Sequence, residues 1–146
     1  MGLVSMGVAA LGSRPAFASE EAILDAAAIT QLEQQASTAQ VKDQCFLYTE
    51  VLHSLTEIAG KQLADGQDEE AAVTFHHIDT ITAKIQHALA KDAKRLKNAE
   101  MLMEHTTRRL SDMLHVTNGD ERTALQGTLQ RVSAVHSQLL SQVFAK

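Results

Sequence analysis

Residues 71–113 read AAVTFHHIDTITAKIQHALAKDAKRLKNAEMLMEHTTRRLSDM, and the spacing of apolar side chains along this stretch decides the fold. Two interleaved sevenfold series run through it: Phe75, Thr82, Leu89, Leu96, Met103 and Leu110, and Ala71, Ile78, Ile85, Asp92, Ala99, Thr106 and Met113. Ten of these thirteen positions are apolar, and alternating steps of three and four residues hold one stripe of a helix against a partner. No Gly or Pro interrupts the stretch, so it predicts one coiled-coil-like helix of about 45 residues, close to 70 Å at about 1.5 Å per residue. Asp92, set among Lys91, Lys94, Arg95 and Lys97, is where such a rod would bend or leave its first partner.

The flanks carry matching signals. Asp65-Gly66 supplies a turn, and Asp68, Glu69 and Glu70 place negative charge where unpaired amides open a helix. At the far end Thr117-Asn118-Gly119 makes the break, and Asn118 with Glu121 resembles a capping box for a last helix from Asp120 to about Ala145. Leu125, Leu129, Val132, Val135, Leu139 and Val143 fall on one face of that helix. Before the first turn, Lys42 to Ala64 carries a broad stripe of Tyr48, Val51, Leu52, Leu55, Ile58, Ala59 and Leu63, suited to neighbours on two sides. A further helix, about Glu20 to Thr38, turns Ile29, Leu32 and Ala36 inward and joins the next near Ser37 to Lys42. With one Pro, 3% aromatic residues and 45% hydrophobic residues, the composition favours helix over strand. The expected fold is all-α: antiparallel helical hairpins or a bundle of about four helices with one long central helix.

Residues 1–18 form an apolar run, a breaker at Pro15 and then Ala16-Phe17-Ala18, the small-x-small pattern that a signal peptidase accepts. No Lys or Arg precedes the run, so the usual basic start of a leader is missing. The expected organisation is a signal peptide over 1–18 and a single helical domain over 19–146, periplasmic or secreted, with no membrane attachment after leader cleavage. From Ser19 onward twelve basic residues face eighteen acidic ones, which is no footprint for nucleic acid. The charge is unevenly placed: between Glu20 and Glu70 eleven acids face only Lys42 and Lys61, whereas Lys84 to Arg109 holds seven basic residues against three acidic ones. Two oppositely charged helix faces that attract each other within the fold or between subunits account for this, and a docking surface for an acidic partner is the other reading. Cys45 is alone, so no intramolecular disulfide forms, and its setting beside Phe46, Leu47 and Tyr48 points to burial.

Around the first turn, Ile58, Ala59, Gly66, Ala71, Phe75 and Ile78 resemble one tetratricopeptide-like helical hairpin. A step of 34 residues lands on Ala93, Glu100, His105 and Arg109, so the pattern does not recur. Residues 43–50 and 94–110 together resemble an uncharacterised family of exported, all-helical bacterial proteins, and that resemblance implies no activity or ligand.

Glu50 with His53, and Asp112 with His115, have the carboxylate–imidazole spacing of a helix face in carboxylate-bridged di-iron bundles. The second pair begins with Asp rather than Glu, and on a continuous rod His115 lies about 50 Å from His53, so the two pairs do not meet. Folding the first hairpin about Gly66 brings Glu50 and His53 level with His77, with His76 on an adjoining face. Three such ligands would hold zinc or copper; alternatively these are histidines flanking the seam made by Phe75 and Ile78. No Gly-x-Ser-x-Gly turn, P-loop or dinucleotide fingerprint occurs, so neither catalytic residues nor a cofactor are expected. The function expected is that of a non-enzymatic exported helical protein acting through protein-protein contact or self-association. The alternative is a periplasmic bundle that binds metal or a small ligand, with Glu50, His53 and His77 as its candidate ligands.

Overall fold

The computed structural model describes residues 25–145; the leader expected over 1–18, and residues 19–24 of the expected domain, lie outside them. Helix accounts for 86% of the described residues and no strand occurs among them, so the fold is an all-α bundle. Five helices follow in order: α1 Ala26–Thr38, α2 Val41–Ala64, α3 Asp68–Leu89, α4 Leu96–His115 and α5 Gly119–Val143.

Each boundary has a local chemical cause. Asp25 caps α1 by accepting the Ala28 amide at 2.9 Å. The α1–α2 junction has no Gly or Pro; instead Gln44 reaches back from α2 and donates to the Ser37 carbonyl and to the Ala36 carbonyl, which also accepts the Ala39 amide. Gly66, at φ +75°, makes the turn into α3, a conformation that a Cβ would strain. Gly119, at φ +69°, does the same at the start of α5. The capping box expected at Asn118 does not form, because its side chain makes no bond to the helix end. Arg122 closes that turn by donating to the Leu114 and Thr117 carbonyls.

The 45-residue rod is the expectation that fails. The helix stops at Leu89, residues 90–95 cross one end of the bundle, and a new helix begins at Leu96. The crossover is pinned to the start of α2: the Lys94 amide donates to the Lys42 carbonyl at 2.7 Å, and the Arg95 guanidinium lies 4.3 Å from the Phe46 ring centroid and 3.8 Å from Asp43. Arg95 holds φ +56°, a left-handed conformation that costs a non-glycine residue about 1–2 kcal/mol and that these contacts offset.

The chain therefore forms two antiparallel hairpins, α2–α3 and α4–α5, lying side by side with α2 parallel to α4 and α3 parallel to α5. The parallel register is fixed by polar ties between residues 52 or 53 apart in sequence: His53 with Thr106, Glu57 with Arg109, Asp79 with Arg131, and the Leu89 carbonyl with Gln142. Helix α1 packs on the far side of the first hairpin, where Glu33 meets both His77 and Lys84 of α3. The central helix is thus α2, which touches α1, α3 and α4, not a rod running from α3 into α4.

Leu52, Ile78, Ile81, Ile85, Met103, Leu110, Leu125 and Leu139 fill the core. Seven threonines are buried with them, and five, Thr49, Thr56, Thr82, Thr106 and Thr117, donate to the carbonyl four residues back, while Thr74 donates to Gln62 Oε1 at 2.7 Å. With its hydroxyl returned to its own helix, a threonine presents a methyl group to its neighbours and behaves as core. Cys45 is fully buried, and burial pushes its thiol pKa up to about 11. At pH 8 only about one thiol in a thousand would then be thiolate. A disulfide-exchange reagent should label Cys45 at a small fraction of the rate seen in urea; equal rates would contradict the burial.

Candidate functional site

The structure separates the three candidate metal ligands. His53 faces α4, where its Nδ1 lies 3.3 Å from the Thr106 hydroxyl. His77 faces α1, where its Nε2 lies 2.9 Å from Glu33. These are different sides of the first hairpin, so Glu50, His53 and His77 do not converge. The fold-back also brings α4 beside α2, but the level partner of His53 is Thr106, and Asp112 lies beyond it with Gly60. The carboxylate–imidazole pairs therefore still do not share a centre. Among the described residues no three His, Cys, Asp or Glu side chains come close enough to hold one ion.

What lines the α2–α4 seam is a row of polar ties. Thr106 donates to the Leu102 carbonyl, so its oxygen accepts from His53 Nδ1–H and fixes that tautomer. Burial of the imidazole lowers its pKa from the ordinary 6.5; Glu57 pulls the other way, and His105 and Arg109 add to the depression. The unfolded chain therefore binds a proton that the folded chain refuses. The stability contributed by neutral His53 is complete above about pH 6.5 and is lost as pH falls through that value toward the lowered one. His53→Asn retains an N–H toward Thr106 but cannot titrate. Measured by urea unfolding from pH 7.5 to pH 5, the wild type should lose more stability than the variant; parallel curves would contradict this.

One turn along, Arg109 Nε pairs with Glu57 at 3.4 Å and the guanidinium lies over Gly60, where a Cβ would meet Nη2 at 2.6 Å. Beyond Arg109 the two turns of the bundle enclose a recess of about 490 Å³ whose charged lining is Asp68, Asp112, Glu121 and Arg109. Its one buried hydroxyl, Thr117, is committed to the Met113 carbonyl, so no free nucleophile stands beside a base there.

No family model, curated protein or solved structure matches the chain.

The uneven charge of the sequence resolves into pairing plus a remainder. Three acids of the N-terminal half meet basic residues of the 84–109 segment inside the fold: Glu33 with Lys84, Asp43 with Arg95, and Glu57 with Arg109. The remainder is concentrated at one end. Lys42, Lys91, Lys94 and Lys97 are exposed and have no ion-pair partner among the described residues, and all four lie at the end crossed by residues 90–95. The parallel helices α2 and α4 both begin here, and neither has a side-chain cap. The last turns of α1, α3 and α5 lie at this end too and offset those two helix starts, so its positive charge is that of the four ammonium groups, with Asp92 the one carboxylate among them. The sequence hides this cluster, because Lys42 joins the other three only through the crossover.

Proposed function

We propose that this chain is a non-enzymatic, exported helical protein that works through protein contact, and that its lysine-bearing end receives a partner rich in carboxylates. The observation that carries the reading is the placement of Lys42 and Lys97. Each sits in the first turn of its helix, where the helix dipole opposes a cation and favours Asp or Glu. Local helix stability does not explain lysines there; attraction of an anionic surface does. The export half of the reading rests on the Ala16-Phe17-Ala18 pattern.

A fluorescent polyglutamate peptide serves as the probe. The full chain should bind it at low ionic strength, with affinity falling as salt is added. Lys42→Glu/Lys97→Glu should weaken binding at least tenfold, whereas Lys61→Glu, at the opposite end of α2, should leave it unchanged. Binding that survives the double reversal would overturn the reading, as would a preference for phosphatidylglycerol vesicles over the peptide.

A further inference from the structure

We infer that the partner of the lysine end is the opposite end of a second copy of this chain, so that molecules associate head to tail. This rests on the contact role just proposed and names the occupant. At the end where α3 and α5 begin stand Asp68, Glu69, Glu70, Asp112, Asp120 and Glu121, none with an ion-pair partner among the described residues. They are not merely spread over a surface. Asp68, Asp112 and Glu121 line the recess of about 490 Å³, and its one cation, Arg109, is already held by Glu57. The recess therefore sets three carboxylates against one guanidinium already shared with Glu57, and its counterpart is the end bearing four long, flexible lysines.

The two ends cannot satisfy each other within one molecule. The 24 residues of α2 separate them by about 36 Å, several times the screening length of about 8 Å at physiological ionic strength. Between molecules, opposite ends attract and like ends repel. A symmetric dimer joined end to identical end is disfavoured, and the contact joins unlike surfaces. Such a contact leaves a free acidic end and a free basic end on every product, so it propagates rather than closes.

Two variants of the full chain isolate the two ends. Lys42→Glu/Lys97→Glu removes the basic one, and both changes suit the helix dipole, so its melting temperature should not fall. Asp112→Lys/Glu121→Gln takes two of the three carboxylates out of the recess and adds a cation to it, with the new lysine in the last turn of α4, where a cation is favoured. By light scattering at low ionic strength the wild type should form a concentration-dependent series that collapses to single chains in half-molar salt. Each variant alone should stay a single chain, and an equimolar mixture should stop at one of each. Wild type that remains a single chain at low ionic strength while still binding polyglutamate overturns the head-to-tail contact and leaves the contact reading standing. Loss of polyglutamate binding overturns both. A closed, salt-resistant dimer, or a variant that assembles alone as the wild type does, also overturns it.

Discussion

Leu52→Ala is expected to cost about 2–5 kcal/mol of folding stability, the range for deleting a buried leucine where the site relaxes only partly. Leu52 is fully buried on α2, the helix in contact with α1, α3 and α4, so a cavity there is walled by several elements and collapses poorly. Against a total of about 5–15 kcal/mol for an ordinary domain, this is a large share. The melting temperature should fall by roughly 8–20 °C. Urea unfolding monitored by circular dichroism measures the change, and Val73→Ala is the control. Val73 is 71% exposed and its truncation should matter by no more than about 0.5 kcal/mol. A loss below about 1 kcal/mol for Leu52→Ala would contradict the central position of α2.

The second large effect concerns the crossover. Residues 90–95, Ala-Lys-Asp-Ala-Lys-Arg, contain nothing that forbids a helix, so the break is maintained by what it touches. Removing the anchors in Asp43→Ala/Phe46→Ala/Asp92→Ala takes away the ring and carboxylate that hold Arg95 and the poorest helix former in the segment. Returning Arg95 to helical φ recovers about 1–2 kcal/mol, and the lost stacking contributes about another 0.5–1 kcal/mol per chain. A straight α3–α4 rod cannot fold back on its own first hairpin, so α4–α5 should dock on the α2–α3 hairpin of a second chain. With both chains contributing, dimerisation should strengthen on the order of a thousandfold or more. The doubled mass should persist in half-molar salt, which separates it from association through charged ends. A mass that stays that of one chain would show that Lys94 and the packing of the second hairpin suffice to hold the break.

The crossover leaves no mark in the apolar periodicity. The two sevenfold series over residues 71–113 identify the inward face well: Phe75, Ile78, Ile85, Met103, Leu110 and Met113 are all buried. Thr82 and Thr106, which read as interruptions, are buried too, their hydroxyls returned to the Ile78 and Leu102 carbonyls. Only Asp92 leaves the core. The stripe keeps its phase through the break because α3 and α4 face one common core, so periodicity reports which face is inward and says nothing of whether the axis continues. The usual marks of a break are absent: a left-handed Arg95 stands where Gly would advertise itself.

The site was less legible. His53 was visible as a histidine at ligand spacing, but its partner, Thr106, lies 53 residues away and becomes a neighbour only once the rod is broken. The basic end depends on the same unseen fold-back. Lys42 and Lys97 look unremarkable until α2 and α4 are known to start together. The acidic start of α3 is legible as helix-opening charge, whereas Glu121 reads as half of a capping box that does not form, and the recess they share with Asp112 requires the two turns to meet.

The side-by-side register of the hairpins bears on the order of events during synthesis. Because α2 pairs with α3 across one tight turn, the first hairpin has all of its own residues once Leu89 has emerged, before α4 or α5 is free to fold. The second then has a finished template to zip along, with the bond from Lys94 to Lys42 as the starting tooth. Chain segments meet mostly in the order in which they are made, a topology of short loops that favours rapid, vectorial assembly and leaves little time for exposed apolar surface to find a wrong neighbour.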